Sequence, residues 1–282
     1  MITFLAILIR IFSNSLSNVF QKQLTQSGVK PFVINFVTYL GLSVICLPFV
    51  TGITIDLSAL NSAVFGGLCG ALGNNYLIKA LEKGELSVLG PINAYKSVVA
   101  MIIGIFLLGE LPSLIGLFAV VLIIWGSYYI FDTTEDGFSL SLLNRSAIRW
   151  RLYALVLTAV EAVFIKDVIL HSNVQTAFCF WCWFGTLFSF ANVVKHRERL
   201  PKFKLRENIK LAAVITCVGI MQYSTNFVFE RINVSYALAL FQLSAILSVI
   251  LGWKFFAERN IVKKLTGTLI MVFGAVLLIL LK

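Results

Sequence analysis

Charge is scarce in this chain. Only 13% of its 282 residues are Asp, Glu, Lys or Arg, about half the share found in soluble domains. Acids are scarcer than bases, 13 against 23, which leaves a formal charge of +10. Histidine is almost absent: His171 falls at a span end and His196 in a basic loop. No nucleophile elbow, phosphate loop or His/Cys/Asp/Glu cluster at ligand spacing is present, so the sequence offers no catalytic constellation, no metal site and no cofactor site. Five cysteines are scattered through apolar segments. The pair in "CFWC", Cys179 and Cys182, has redox or zinc spacing, but it lies within an apolar span and has no second pair, which fits buried apolar thiols better. A small-residue cleavage site after a short apolar core is also missing, so the first segment reads as a membrane helix rather than a signal peptide.

What the chain has is apolar residues, 59% of the total. They form runs of about 20 residues, the length a helix needs to cross roughly 30 Å of hydrocarbon. Ten spans are expected, at about 2–26, 30–51, 57–81, 86–108, 112–131, 149–170, 173–194, 206–229, 233–256 and 262–281. The excess of Lys and Arg does not indicate a nucleic-acid partner. Those residues sit at span ends, and the densest cluster, "KHRERLPKFKLRENIK" (Lys195–Lys210), connects two spans. Basic loops of this kind mark one side of a membrane protein.

The chain repeats itself. A shift of 148 places Glu82 on Glu230, Ser87 on Ser235, Gly104 on Gly252, Glu110 on Glu258 and Gly126 on Gly274. A shift of 144 places "VFQK" (Val19–Lys22) on "VFIK" (Val163–Lys166). Several matches in register indicate an internal repeat. Residues 1–131 form a first five-helix unit, 132–148 a linker and 149–282 a second unit. Five is odd, so the second unit enters the membrane from the opposite face. The loop charges agree: "LPSLIG" after Glu110 has no base, whereas "RNIVKKLTG" after Glu258 has three. Loops 1–2, 3–4, 5–6, 7–8 and 9–10 with their helix ends hold 18 of the 23 Lys and Arg residues. The positive-inside rule therefore places both termini outside the cytoplasm.

Ten spans in two halves, with Gly104, Gly109 and Glu110 ending span 4, Gly252 and Glu258 ending span 9, and Gly126 matched to Gly274, resemble the drug/metabolite transporter superfamily, in particular the EamA-type permeases. The resemblance covers essentially the whole chain. It implies an all-α membrane protein built from inverted repeats, a multi-pass protein of a bacterial inner membrane. It also implies alternating access between two half-bundles around a central cavity. The partners expected are a small-molecule solute and the lipid bilayer, with a coupling proton under one reading of Glu161.

Polar residues inside the spans are the candidates for a site. Lys96 lies about ten residues from either end of span 4, too deep to snorkel, and a central Lys costs about 2.5–3.5 kcal/mol on insertion scales. Either it contacts a solute or ion in a wet cavity, or it is locked in an ion pair, with Glu161 the available partner. Asn93 shares its face. In span 1, Arg10, Asn14, Ser17, Asn18 and Gln21 make one helical stripe, which lines a cavity or bonds to another helix. Glu161 is the sole acid near mid-depth in span 6, with three readings: proton carrier, partner of a substrate amine, or structural counter-ion. Asn74 aligns with Gln222. Asn75 and Asn226 lie nearby, and Gln242 is the main polar residue of span 9. Carboxamides of this kind serve hydroxyl- or amine-bearing solutes, or tie helices together. Lys96 aligns with Ser244, so the charge is not part of the symmetric scaffold.

Glu110 and Glu258, at junctions between spans, are expected to cap the helices that follow them. The expected function is a secondary transporter of a small polar metabolite with an anionic group. An amino acid or other zwitterion comes first, with an organophosphate or sugar phosphate as the alternative. A non-transporting membrane scaffold is the reading from a different class.

Overall fold

The fold was obtained as a computed structural model, which describes residues 1–53, 59–96, 98–99, 113–134, 140–197 and 201–280. Among these the regular structure is helical throughout. Helix α1 runs Ile2–Gln26 and is closed by Gly28, whose φ of +90° suits a residue without Cβ. Pro31 then opens α2 (Pro31–Cys46), where its missing N–H costs nothing, and a 3₁₀ segment (Leu47–Gly52) extends it. Helix α3 spans Leu60–Lys83, and α4 is a short helix, Leu86–Leu89. Helix α5 (Leu114–Phe131) is capped by Ser113, whose hydroxyl accepts from the Gly116 N–H.

In the second half, α6 runs Ser146–His171 and α7 Val174–Lys195. The Asn173 carboxamide caps α7 by accepting from the Thr176 N–H. Helices α8 (Leu205–Arg231), α9 (Val234–Phe241), α10 (Ser244–Phe256) and α11 (Ile261–Leu280) complete the order.

Among the described residues, six segments are long and apolar enough to cross a membrane: Ile2–Gln26, Pro31–Gly52, Leu114–Phe131, Val174–Lys195, Leu205–Arg231 and Val234–Phe256. Helices α3 and α6 have spanning length but carry more polar residues or charges, and α11 is a 20-residue helix with only Lys263 and Lys264 charged. The later part of span 4, residues 97 and 100–108 including Gly104, lies outside the described residues, as do Gly109 and Glu110. Large apolar side chains such as Phe4, Leu114, Trp125, Val163, Leu187 and Phe273 point outward. In water such a surface would aggregate, whereas in lipid it is the solvated face.

The two halves do not pack as separate bundles, contrary to the half-bundle expectation. Helix α1 packs chiefly on α8, α3 on α6 and α7, and α5 on α11. Exchanging the halves turns the α1–α8 contact into the α6–α3 contact and returns the α5–α11 contact to itself. The close approaches obey the same rule. A Cβ on Gly126 would strike the Gly267 carbonyl, and a Cβ on Gly274 would strike the Ala119 carbonyl at 2.8 Å. A shift of 148 maps each contact onto the other. Small residues let these backbones meet where the hydrophobic effect gives no drive for association.

Both halves break one helix at equivalent places. After α4, Pro91 cannot continue an α-helical ladder, and Pro91–Ala94 is a 3₁₀ turn in which the Asn93 N–H bonds to Gly90 O at 3.1 Å. Residues 95–96 are helical again. Between α9 and α10 the Gln242 and Leu243 N–H groups bond three residues back, to Ala239 and Leu240. Each break frees a carbonyl deep in the fold, and such a group must find a partner.

Candidate functional site: a cationic central cavity

The two freed carbonyls are met by two arginines. Asn93 N–H turns to Gly90, so Leu89 O loses its α-helical donor, and Arg151 Nε on α6 donates to it at 2.8 Å. Ala245 N–H turns to Gln242 O, so Phe241 O is released in the same way. It accepts from Ser244 Oγ at 2.7 Å, and Arg10 Nη1 on α1 lies 3.5 Å away. The Arg10 guanidinium also stacks on the Phe241 ring, 4.1 Å from its centre. Thus the first helix of each repeat sends an arginine to the broken helix of the other. The arrangement follows the approximate twofold symmetry to within about a helical turn.

Between them lies a cavity of about 110 Å³, walled by α1, α2, α3, α6, α7, α8 and the two broken spans. A water needs only about 10–15 Å³ by this measure, so several waters or a small solute fit. Of the sequence candidates, Arg10, Asn14, Asn74, Asn93, Lys96, Glu161 and Gln222 line it. Asn75, Asn226 and Gln242 do not. Asn75 is buried behind the wall, the Asn226 carboxamide sits 3.0 Å from Gln222 Nε2, and Gln242 accepts from Asn93 Nδ2 at 3.1 Å. These three sit one layer back because their helical positions point into neighbouring helices. The Asn93–Gln242 bond joins the two breaks. Asn74 has both duties: it faces the cavity and donates to Asn35 Oδ1 at 2.7 Å while Gln21 donates to it at 3.3 Å. That amide chain ties α1, α2 and α3 together.

Glu161 is not locked to Lys96. Among the described residues, Lys96 makes no ion pair or protein hydrogen bond, although Glu161, Arg10 and Arg151 are all within electrostatic reach. Instead, Glu161 Oε1 accepts from Trp181 Nε1 at 2.5 Å. Gly70 makes room for this cluster: a Cβ there would press on Trp181, Glu161 and the Tyr39 hydroxyl. Lys96, Arg10, Arg151 and Glu161 are each less than 10% exposed. Three buried cations therefore face one buried carboxylate. Arg10 Nε, Asn18 Oδ1 and the Tyr39 hydroxyl, all on lining residues, are buried without a protein partner. In a membrane interior, such groups need water or a solute.

Arg151, Tyr39 and Thr158 are lining residues that the span pattern does not single out, whereas Trp181, an aromatic that the sequence offers as either cavity wall or packing, is on the wall. Arg151 lies near the start of its span, where a base reads as an interfacial anchor. Only the break in span 4 supplies the carbonyl that draws it inward. A signal was present in the spacing: Arg151, Thr158, Glu161, Ala162 and Ile165 share one helical face.

On the basic side, a larger vestibule of about 930 Å³ opens around Lys22, Lys83, Gly84, Leu89, Arg145, Glu258 and Arg259. Leu89 contributes to this vestibule while its carbonyl holds Arg151, a wall residue of the central cavity. The vestibule contains a latch. Glu258 Oε1 accepts from Lys22 Nζ at 3.1 Å and from Leu86 N–H at 2.8 Å, and Oε2 accepts from Ser87 N–H at 2.8 Å. Lys22 Nζ also donates to Gly84 O at 2.6 Å, and Lys264 Nζ reaches Ser87 Oγ and Glu85. Glu258 is thus a cap, but not of the helix that follows it. The chain turns sharply through Ala257 and Asn260, both with positive φ, and sends the carboxylate back to α4 in the other repeat. Gly252 leaves the space, since a Cβ there would strike the Glu258 carboxylate and lie 3.1 Å from the Ser87 nitrogen. Burial alone would raise the Glu258 carboxyl, but Lys22 and the Leu86 and Ser87 donors hold it below its ordinary value of 4.5.

Cys179 and Cys182 are free and buried in α7, beside Cys46 of α2. Among the described residues, no group of three His, Cys, Asp or Glu side chains is placed to hold a metal ion.

A search of curated proteins finds no match to this chain. Solved structures do match. One crystal structure, 16% identical, covers 99% of this chain and 96% of its own with a TM-score of 0.70, which establishes a shared fold. The sequence itself places the chain more closely: the model of the EamA-like transporter family matches residues 1–132 and 145–280, one stretch in each half, and the protein belongs to that family of membrane transporters.

Proposed function

We propose that the protein is a secondary transporter for a small metabolite bearing a carboxylate or phosphate, and that the ammonium of Lys96 is its central anion contact. The carrying observation is the state of Lys96: buried, on the cavity wall, and without an ion-paired carboxylate among the described residues. A buried charge left unpaired is strongly destabilising, and a solute anion removes that cost each time it binds. Asn14, Asn74, Asn93 and Gln222 supply donors and acceptors around it. Glu161, held in place by Trp181, takes a substrate ammonium or a coupling proton. An amino acid or related zwitterion uses both poles. Alternating access then proceeds by opening the wall on one side while the other stays shut.

The test is transport by purified protein in proteoliposomes, with folding and insertion checked separately. Lys96→Gln is expected to abolish uptake while leaving expression and detergent stability near wild type. Uptake at the wild-type rate in that variant refutes the assignment. A cysteine placed at Asn93 in a cysteine-free background separates transport from a scaffold role. It reacts with a water-soluble thiol reagent if the cavity is reached by solvent, and stays inert in a sealed scaffold.

A further inference from the structure

The charges of the cavity are not evenly matched, and the mismatch has a location. Glu161 lies within electrostatic reach of Lys96 and Arg10. Among the described residues, Arg151 has no such partner: the charged group that feels it is Lys96, which carries the same sign. Its one protein hydrogen bond uses Nε, so the two terminal guanidinium nitrogens have no protein acceptor among the described residues. The side chain is 8% exposed and lines the cavity at the end nearest the vestibule. Two buried cations therefore stand together, Lys96 and Arg151, and among the described residues lining the cavity no carboxylate faces Arg151. Arg10 needs no second ligand to the same degree, since it shares Glu161 and stacks on Phe241.

From this placement we infer that the transported solute carries two anionic groups, and that Arg151 binds the second one. This deepens the proposed function and rests on it. The full complement is a solute with two negative groups and one positive group. One anion meets Lys96, the other meets the free edge of the Arg151 guanidinium, and an ammonium meets Glu161. Acidic amino acids and phosphorylated amino compounds have that pattern. The planar guanidinium edge offers two parallel N–H donors, the geometry that carboxylate and phosphate oxygens accept. Because Nε is spent on Leu89 O, the terminal nitrogens are held in one orientation before the solute arrives.

The experiment uses the full chain in detergent micelles and measures the shift of the unfolding midpoint with matched probe pairs: glutamate against glutamine, aspartate against asparagine, and phosphoserine against serine. In wild-type protein, the probe with two anionic groups is expected to bind at least about tenfold more tightly than its partner in the pair. Arg151→Gln is expected to level the pair by weakening glutamate, aspartate and phosphoserine more than glutamine, asparagine and serine. Arg151→Lys keeps the charge and is expected to restore part of the preference; if Arg151→Gln does not fold, the wild-type pairs and Arg151→Lys decide the matter. Equal binding within every pair overturns the inference and leaves the proposed function standing. Equal weakening of all probes in folded Arg151→Gln also overturns it, since that is the result of a purely structural anchor. No stabilisation of the wild type by any probe overturns the amino-acid reading of the cavity together with this inference.

Discussion

Removing the Glu258 carboxylate should loosen the basic side of the molecule by an amount the geometry makes calculable. Its side chain is 5% exposed and that of Lys22 is 8% exposed, so the ion pair is buried. Glu258→Ala strands Lys22 beside a single carbonyl, Gly84 O, and leaves the Leu86 and Ser87 amides without their acceptor. Breaking a buried pair by removing one partner costs about 3–5 kcal/mol, and a lost helix cap adds about 1 kcal/mol. Lys22→Met is milder, because Glu258 keeps both amide donors. In the double variant no charge is left behind, so its loss should be smaller than the sum of the single losses by roughly 1–3 kcal/mol. The assay is equilibrium unfolding in mixed micelles, followed by tryptophan fluorescence, for wild type, both single variants and the double variant. Additivity within about 0.5 kcal/mol would show that the two residues do not act as a unit. A Glu258→Ala variant as stable as wild type would remove the latch altogether.

Because Glu258 is held below its ordinary value, its carboxylate contributes stability that is fully present above the unfolded value of 4.5 and is lost as pH falls through the lower folded value. The midpoint of wild-type protein should therefore stay level down to about pH 5 and fall below it, and Glu258→Gln should flatten that acid limb. Gly126→Leu should push α5 off α11 and cost about 1–3 kcal/mol, because a Cβ there already meets the Gly267 carbonyl; thermal unfolding in micelles measures it. Trp181→Phe removes the donor that holds Glu161 Oε1 at 2.5 Å and should slow transport without changing expression; uptake at the wild-type rate shows that the orientation of Glu161 is irrelevant.

Membership of a membrane-embedded, all-helical, two-repeat family was legible in the sequence, because its signals are local. Apolar run length is set by bilayer thickness, loop charge by the side of the membrane, and the repeat by residue matches in register. The choice of Lys96, Arg10 and Glu161 also needs only the cost of charge in hydrocarbon. Contacts made across the repeats had no such local signal. That Arg10 and Arg151 answer the carbonyls freed at the two helix breaks, and that Glu258 caps α4 rather than the helix after it, depends on how the repeats interleave. So does the division of the carboxamides into lining (Asn14, Asn74, Asn93, Gln222) and supporting (Asn75, Asn226, Gln242).

The sequence by itself determined that these helices lie in lipid, that they come as two copies, and which depths carry charge. Tertiary structure alone decided that the copies interleave, that Lys96 faces open space rather than Glu161, and that a third cation joins the cavity wall. The physical reason is range. Hydrophobic length and helical periodicity are properties of a few consecutive residues, whereas the partner of a buried charge is whatever the packing brings within a few ångströms of it.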